Sequence, residues 1–388
     1  MTSRLGRGLI TALFVLCFAG GGLCRADEPA KDYGLLSRPD FFPIAVWLQS
    51  PGNATKYRDI GVNLYVGLWK GPTASQLATL HTAGMHVICD ENAVALSQRN
   101  AGDVVGWLQP DEPDNAQPIR GGGYGPPIPA QKVMERYQKL KQADSSLPVL
   151  LNLGQGVAWD AWYGRGVRSN HPEDYREYVK AGDIVSFDIY PVTHDSPQVK
   201  GNLWYVGRGV QRLVEWTDGK KQVWCCIEAA GNDKATPTAK QLRSEVWIAI
   251  THGATGIIYF CHEFKPKFVE AGLLTHPELV EGVKKVNAEV TRLATVIHSP
   301  TLKDLVSAHS SDAKVPVQTM SKRVGDADYV FAVTMRDVPS EVTFKSAAKV
   351  DAAVEVVDEG RTVQMKSGEF RDQFEGYGVH IYKLTEAR

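Results

Sequence analysis

Short apolar runs alternate with helix-like segments along most of the chain, starting after Pro39. The segments between the runs carry apolar residues at helical spacing, as at Val283, Val286 and Val290. Strands that alternate with helices predict a parallel sheet, and eight repeats over about 255 residues predict a closed (β/α)8 barrel. The eight predicted strands are 43–48, 62–68, 86–90, 104–108, 148–153, 184–189, 222–227 and 256–260.

An open, doubly wound sheet is the alternative arrangement of such repeats. It would usually carry a glycine-rich G-x-G-x-x-G turn after its first strand. The nearest match here, Gly154 and Gly156, comes late in the chain and has Trp159 in place of the third glycine. The closed barrel is therefore the favoured fold.

The pattern changes near Pro300, where helical periodicity ends. Short alternating segments follow, bounded by Gly, Pro, Asp and Ser, and they predict antiparallel strands. We therefore expect a barrel over residues 27–299 and a small all-β, sandwich-like domain over residues 300–388. The predicted strands of this domain are 315–319, 329–335, 341–344, 353–357, 362–365 and 379–384.

The first 26 residues have the features of a secretory signal peptide. Arg4 and Arg7 precede an apolar run over 9–18, and Cys24 and Ala26 suit a cleavage site after Ala26. Lipoprotein processing at Cys24 is disfavoured because Leu23 stands where a small residue is expected. An uncleaved membrane anchor is disfavoured because the apolar run is shorter than the roughly 20 residues that span a bilayer. We expect a secreted or periplasmic protein without membrane insertion after cleavage.

Composition excludes several classes of protein. Hydrophobic residues make up 43% and charged residues 22%, values typical of soluble globular chains. A formal charge of −1 with no basic run argues against nucleic acid as a partner. No spacing typical of a metal or cofactor site occurs, so none is expected, and the oligomeric state stays open. We expect buried thiols rather than disulfides at Cys89, Cys225, Cys226 and Cys261.

Candidate chemistry is found at the carboxyl ends of the predicted barrel strands, where barrel enzymes carry their active sites. Carboxylates and aromatic rings dominate there, and such rings suit the C–H faces of sugars. The candidates are Trp47, Trp69, Asp111, Glu112, Asn152, Asp188, Tyr190, Glu228, His262 and Glu263.

Two of these carboxylates form a candidate catalytic pair. Glu112 follows the fourth strand and Glu228 follows the seventh, so both can face the mouth of an eight-stranded ring. Cleavage of a glycosidic bond requires one carboxyl group to protonate the leaving oxygen and a second to attack the anomeric carbon or activate water. A separation of about 5 Å indicates a retaining enzyme, and roughly 6.5–9.5 Å an inverting one.

The stretch Gly106–Pro113 (GWLQPDEP) and the stretch Val223–Glu228 (VWCCIE) resemble motifs of the retaining (β/α)8 glycoside hydrolases, the clan that includes β-galactosidases, β-mannanases and cellulases. The resemblance covers residues 40 to about 298. It implies that Glu112 is the acid/base and Glu228 the nucleophile. It also implies that Tyr190, in the segment Phe187–Pro191, supports the nucleophile.

The clan usually has Asn directly before the acid/base glutamate, where this chain has Asp111. A second carboxylate there would raise the pKa of Glu112, which suits a general acid. The other positions at the strand ends are candidates for binding an oligo- or polysaccharide: Asp111, Trp47, Trp69, Asn152, Asp188, Tyr190, His262 and Glu263. The alternative to a glycosidase is a catalytically silent barrel that binds carbohydrate or acts as a scaffold.

Overall fold

The computed structural model describes residues 31–98 and 102–385, so the predicted signal peptide lies outside the described residues. Eight strands form a closed parallel barrel in chain order. They are β1 (Ile44–Trp47), β2 (Leu64–Val66), β3 (His86–Cys89), β4 (Val104–Leu108), β5 (Val149–Leu153), β6 (Ile184–Phe187), β7 (Gln222–Glu228) and β8 (Gly256–Phe260). The predicted barrel is confirmed, and pairing of β1 with β8, for example Ala45 with Ile258, closes it.

Alternation along each strand divides the side chains between two cores. Ala45 and Trp47 belong to an apolar cluster inside the barrel, whereas Ile44 and Val46 belong to the layer between strands and helices. The strands are buried on both faces, as expected for parallel strands covered by helices. This alternation places the predicted site residue Trp47 in the barrel interior, where it is buried.

The surrounding helices are α1 (Ala54–Arg58), α2 (Ala74–Ala83), α3 (Ala93–Gln98), α4 (Ala130–Ala143), α5 (Tyr175–Tyr178), α6 (Trp204–Trp216), α7 (Ala239–Thr251), α8 (Pro277–Arg292) and α9 (Ala294–His298). Helices α2 and α7 each begin with a capping box, in which Thr73 pairs with Gln76 and Thr238 with Gln241. The helical spacing at Val283, Val286 and Val290 belongs to α8, which ends at Arg292, and α9 begins directly after Leu293.

The second domain is built from nine strands: β9 (Thr301–Leu302), β10 (Val306–Ser310), β11 (Val317–Val324), β12 (Ala327–Thr334), β13 (Ser340–Ser346), β14 (Ala352–Val356), β15 (Arg361–Met365), β16 (Glu369–Phe374) and β17 (Val379–Thr385). They form sheets of three and six antiparallel strands around one apolar cluster. The predicted antiparallel all-β domain is confirmed as a fold.

The sequence prediction omitted β9, β10 and β16. Strand β16 was missed because its inward residues include Asp372 between Phe370 and Phe374, which interrupts the apolar alternation. Asp372 is buried there because Arg361 donates two hydrogen bonds to it and Tyr382 a third. A buried charge with its partners thus occupies a position that pattern reading assigns to an apolar residue.

The larger sheet packs on the barrel through helix α7. Trp247 on α7 stacks on Phe331 of β12 with ring centroids 5.4 Å apart, and both belong to the core cluster that surrounds the barrel. All four described cysteines are buried free thiols, as predicted. Within the described part of the chain, no helix combines the length and apolar character needed to cross a membrane.

Candidate active site

Glu112 lies in the tight turn that follows β4. Its φ of +41° is in the left-handed region, which is uncommon for a residue with a side chain. Its backbone N–H donates to the carbonyl oxygen of Asn152 at 3.2 Å, so the turn is tied to the end of β5. Pro110 and Pro113 flank the turn and restrict its backbone further. The strained turn therefore fixes where the Glu112 side chain leaves the barrel rim.

Asn152 joins two of the predicted site carboxylates. Its amide nitrogen donates to Asp111 at 2.9 Å and to Asp188 at 2.8 Å. Its amide oxygen accepts from the Ser186 hydroxyl at 2.7 Å, which fixes the orientation of the amide. Tyr190 donates to the other oxygen of Asp188 at 2.8 Å. The ends of β4, β5 and β6 thus meet in one hydrogen-bonded group.

The electrostatics of this group favour protonated carboxyls. Burial raises the pKa of Glu112 well above its usual value, and the charges of Asp188, Asp111 and Asp114 raise it further. Asp111 is exposed as a residue, but its Oδ1 accepts from Asn152, and desolvation together with the charge of Asp188 raises its pKa to about 7. Desolvation also raises the pKa of Asp188, against the hydrogen bonds from Asn152 and Tyr190. A protonated Glu112 at neutral pH is the form that a general acid requires.

Asn115 and Trp162 complete the surroundings of Glu112. The Asn115 amide nitrogen donates to Glu112 Oε2 at 2.8 Å, and the Trp162 indole donates to the Asn115 amide oxygen at 2.9 Å. Sequence reasoning missed Asn115. The available signal was its place three residues after Glu112 in a turn, where a short polar side chain can bond back to its neighbour.

Glu228 at the end of β7 has a different environment. It is 2% exposed, its Oε1 accepts from the Val192 backbone at 2.6 Å, and its Oε2 accepts from the backbone and hydroxyl of Thr193 at 3.0 and 2.8 Å. Among residues 31–98 and 102–385, Glu228 shares no hydrogen bond with Glu112, Asp111 or Asp188. Burial raises its pKa, and these donors act in the opposite direction. The strand-six tyrosine, Tyr190, bonds Asp188 rather than Glu228.

Glu245 of helix α7 lies behind Glu228 and is fully buried. Burial and the Glu228 charge raise the pKa of Glu245 well above its usual value, which favours the protonated form. Sequence reasoning missed this residue as well. The signal was a lone acid in the apolar run 244–250, where a charged side chain needs a partner.

The remaining predicted residues lie around the rim. Trp69 is 71% exposed after β2, whereas Trp47 is buried inside the barrel. After β8, the ring of His262 lies 5.2 Å from that of Phe260, which in turn stacks on Tyr190 at 5.0 Å. Glu263 pairs with His276 and so is tied to its own loop. In the described part of the chain, no group of three His, Cys, Asp or Glu side chains could hold a metal ion.

No family model and no curated protein matches this chain. Solved structures do share its fold. An α-galactosidase I from Mortierella vinacea has a TM-score of 0.55 and 9% identity, with 91% of this chain and 99% of that chain covered. An α-amylase from Geobacillus thermoleovorans, complexed with acarbose, has a TM-score of 0.53 and 11% identity, with 90% and 99% covered. A maltogenic α-amylase from Thermotoga neapolitana has a TM-score of 0.50 and 10% identity, with 90% and 99% covered.

At these identities the likeness establishes the fold alone. The protein is thus a (β/α)8 barrel followed by a β domain, with carboxylates gathered at the end of the barrel where such folds carry active sites. The fold expected from the resemblance of the sequence to barrel glycoside hydrolases is confirmed. The chemistry of the site rests on its own residues.

Proposed function

We propose that the protein is a glycoside hydrolase that acts on an oligo- or polysaccharide, with Glu112 as its acid/base. The main support is the environment of Glu112, which is a half-buried residue at the end of β4, beside Asp111 and Asp188. In this environment the pKa of Glu112 is raised well above its usual value. Protonated Glu112 would donate to the glycosidic oxygen as the bond breaks. Its carboxylate would then take a proton from the attacking water.

We further propose that the linkage is β and that the mechanism is a retaining double displacement, with Glu228 as the nucleophile. Support comes from the resemblance of residues 40–298 to retaining β-glycosidases and from the position of Glu228 at the end of β7. The structural neighbours named above include an α-amylase and an α-galactosidase, but their likeness concerns the fold alone. The glycosidic linkage that this protein cleaves is therefore decided by assays with its own substrates.

The hydrogen bonds of Glu228 bear on this role in two ways. Burial raises the pKa of Glu228, and the donors from Val192 and Thr193 oppose that rise by favouring the ionised carboxylate that a nucleophile needs. Its 2% exposure, however, keeps it from an incoming sugar unless the loop after β6 shifts. Asp188 is the second candidate nucleophile, because it is half-buried at the mouth, is oriented by Asn152 and Tyr190, and belongs to the same hydrogen-bonded group as Asp111.

The test begins with aryl glycosides of both anomeric configurations and with plant and algal polysaccharides. Once a substrate is found, NMR of the first-formed anomer distinguishes retention from inversion. A matching 2-deoxy-2-fluoro glycoside then labels the nucleophile, and peptide mass mapping identifies it. A label on Glu228 supports its role as the nucleophile, and a label on Asp188 transfers the role to that residue.

Variants separate the roles. Glu112→Gln should lower kcat/KM by about 10²–10⁴ on substrates with poor leaving groups, because protonation of the leaving oxygen is lost. Full turnover by Glu112→Gln would remove its assignment. Binding of oligosaccharides without turnover of any of them would favour the silent carbohydrate-binding barrel.

We also propose that the chain is exported and cleaved after Ala26. The basic start and the apolar run of residues 1–26 support this. Amino-terminal sequencing of protein recovered from outside the cytoplasm should give Asp27 as the first residue. A mature chain that begins at Cys24 would show lipoprotein processing instead.

A further inference from the structure

Two side chains from neighbouring loops connect Glu112 to the rim beyond β5. The Trp162 indole N–H donates to Asn115 Oδ1, and Asn115 Nδ2 donates to Glu112 Oε2. The two hydrogen bonds measure 2.9 and 2.8 Å, which is close to ideal for N–H···O contacts. Trp162 is half-buried, so its indole reaches Asn115 within the protein rather than through solvent.

The chemistry of the groups gives this chain of bonds a fixed direction. An indole nitrogen can only donate, so the amide atom of Asn115 that faces it must be the oxygen. The amide NH2 must then face Glu112, where it can only donate. Asn115 therefore cannot turn its oxygen toward Glu112 without leaving the indole N–H facing another N–H group.

The backbone around the two side chains is shaped to them. A Cβ on Gly154 would lie 2.7 Å from Asn115 Oδ1, and a Cβ on Gly164 would lie 2.3 Å from the Trp162 ring. The Ala116 N–H donates to the Gly164 carbonyl at 2.8 Å, which ties the loop after β4 to the loop after β5. The arrangement is therefore built before any substrate arrives, and small residues occur where the side chains need room.

We propose that Trp162 and Asn115 are positioning residues that fix the Glu112 carboxyl and assign its transferable proton to Oε1, by directing a donor at Oε2. The inference rests on the proposed acid/base role of Glu112. A carboxyl oxygen that already accepts an N–H bond is the poorer place for a proton, so the proton is held on the other oxygen. Proton transfer to the leaving oxygen then starts from one defined atom.

The charges that face Glu112 give the sign of the pH effect. Asp111 and Asp114 lie on its own loop and Asp188 comes from the loop after β6, and all three raise the pKa of Glu112. Tyr190 also lies near Glu112, and the Glu112 charge helps to raise the pKa of that phenol. Asn115 opposes these carboxylates, because its hydrogen bond favours ionised Glu112. Loss of this donor must raise the pKa of Glu112.

The experiment compares Trp162→Phe with Trp159→Phe as a matched control. Trp159 is the neighbouring indole, with ring centroids 6.1 Å apart, but its N–H donates to Gln198 instead of Asn115. The readout is the pH profile of kcat/KM on a substrate with a poor leaving group, in which the basic limb reports ionisation of the acid. The limb should move to higher pH in Trp162→Phe and keep its wild-type position in Trp159→Phe.

A second variant, Asn115→Leu, is nearly isosteric and removes the donor without adding a charge. It should move the basic limb in the same direction and lower kcat/KM about tenfold to a hundredfold, because the acid is no longer held in place. With a 2,4-dinitrophenyl glycoside, whose leaving group needs little protonation, both variants should lose much less. A purely structural defect would lower the rate on both substrates alike and leave the limb where it is.

Two failures can be told apart. If Trp162→Phe and Asn115→Leu keep the wild-type pH profile while Glu112→Gln is inactive, the positioning role is overturned and the proposed function stands. If Glu112→Gln retains turnover of poor leaving groups, the proposed function itself fails. Should Trp162→Phe not fold, as judged by circular dichroism, the profile of Asn115→Leu decides the matter alone.

Discussion

The ends of β4 and β7 carry the same residue type at equivalent places in the barrel, yet the structure treats them differently. Glu112 is half-buried, has other carboxylates beside it, and receives one side-chain hydrogen bond. Glu228 is almost fully buried and receives two backbone bonds and one hydroxyl bond. At the end of β4, burial and neighbouring carboxylates raise the pKa of Glu112 against one donor, whereas at the end of β7 three donors oppose the rise that burial causes in the pKa of Glu228.

The difference indicates what each carboxyl contributes. A crowded carboxyl with few donors has a raised pKa and is available for proton transfer, at a cost in stability. Glu228 accepts hydrogen bonds from Val192 and Thr193, so it also holds the loop after β6 in place. Glu228 therefore combines a structural role with its proposed catalytic one, and stability measurements should separate the two ends.

The largest expected effect is on folding. Glu228→Ala should lower the free energy of unfolding by about 3 kcal/mol or more, because the N–H groups of Val192 and Thr193 lose their acceptor in a buried place. Glu112→Gln should change it by less than about 1 kcal/mol. Chemical denaturation at pH 7 measures both. Equal losses for the two variants would contradict the contrast.

The next effect concerns the amide that joins the carboxylates near Glu112. Asn152→Ala removes the donor to Asp111 and Asp188, so we expect a loss of about 2 kcal/mol. Acids whose pKa is raised by folding lose stability as the pH rises through that raised value. Without Asn152 the two pKa values rise further, so the loss should be greater at pH 8 than at pH 5. A loss independent of pH would mean that only packing was disturbed.

A third effect tests the pair at the end of β7. Because folding raises the pKa of Glu245, this carboxyl contributes to the free energy of unfolding at low pH. The contribution is lost as the pH rises toward the pKa that Glu245 has in the folded protein. One proton changes stability by up to about 1.4 kcal/mol per pH unit. Glu245→Gln cannot ionise, so its unfolding free energy should fall less between pH 6 and 9 than that of the wild type.

The control for Glu245→Gln is Glu281→Gln. Glu281 is an exposed glutamate on helix α8, with a side chain 58% accessible. This variant should follow the wild-type pH dependence throughout. A parallel flattening in both variants would assign the effect to overall charge rather than to the buried pair.

The smallest expected effect is a displacement of the activity profile. Asp111→Asn removes one of the charges that raise the pKa of Glu112, so the basic limb of kcat/KM should move to lower pH. This direction is opposite to that expected for Trp162→Phe, although both changes lie beside the same carboxyl. Movement to higher pH would show that Asp111 acts on Glu112 mainly through hydrogen bonding.

Pattern reading located the strands well because a parallel barrel strand is buried on both faces. β4 and β8 have the predicted bounds, and the strand ends that carry Asn152, Asp188 and Tyr190 were predicted to lie at one mouth. It could not predict which of those residues bond one another. Hydrogen-bond partners such as Asn152 with Asp188 are far apart in sequence and depend on the closure of the ring.

The same limit explains the residues that were missed. A role for Asn115 becomes visible only when its hydrogen bond with Trp162 is known, and the two residues are separated by 47 positions in the sequence. Glu245 is distinctive only once helix α7 lies behind β7. Pattern reading finds elements whose stability is local or periodic, and it misses polar contacts made by single side chains across elements.

The sequence by itself determined the barrel, the β domain and the set of polar residues at the strand ends. These features follow from the spacing of apolar and polar positions, which can be read directly from the sequence. The tertiary structure alone decided that the end of β4 has raised pKa values and that Glu228 is enclosed by the loop after β6. The physical reason is that desolvation and charge proximity depend on distances in space between residues that the sequence keeps apart.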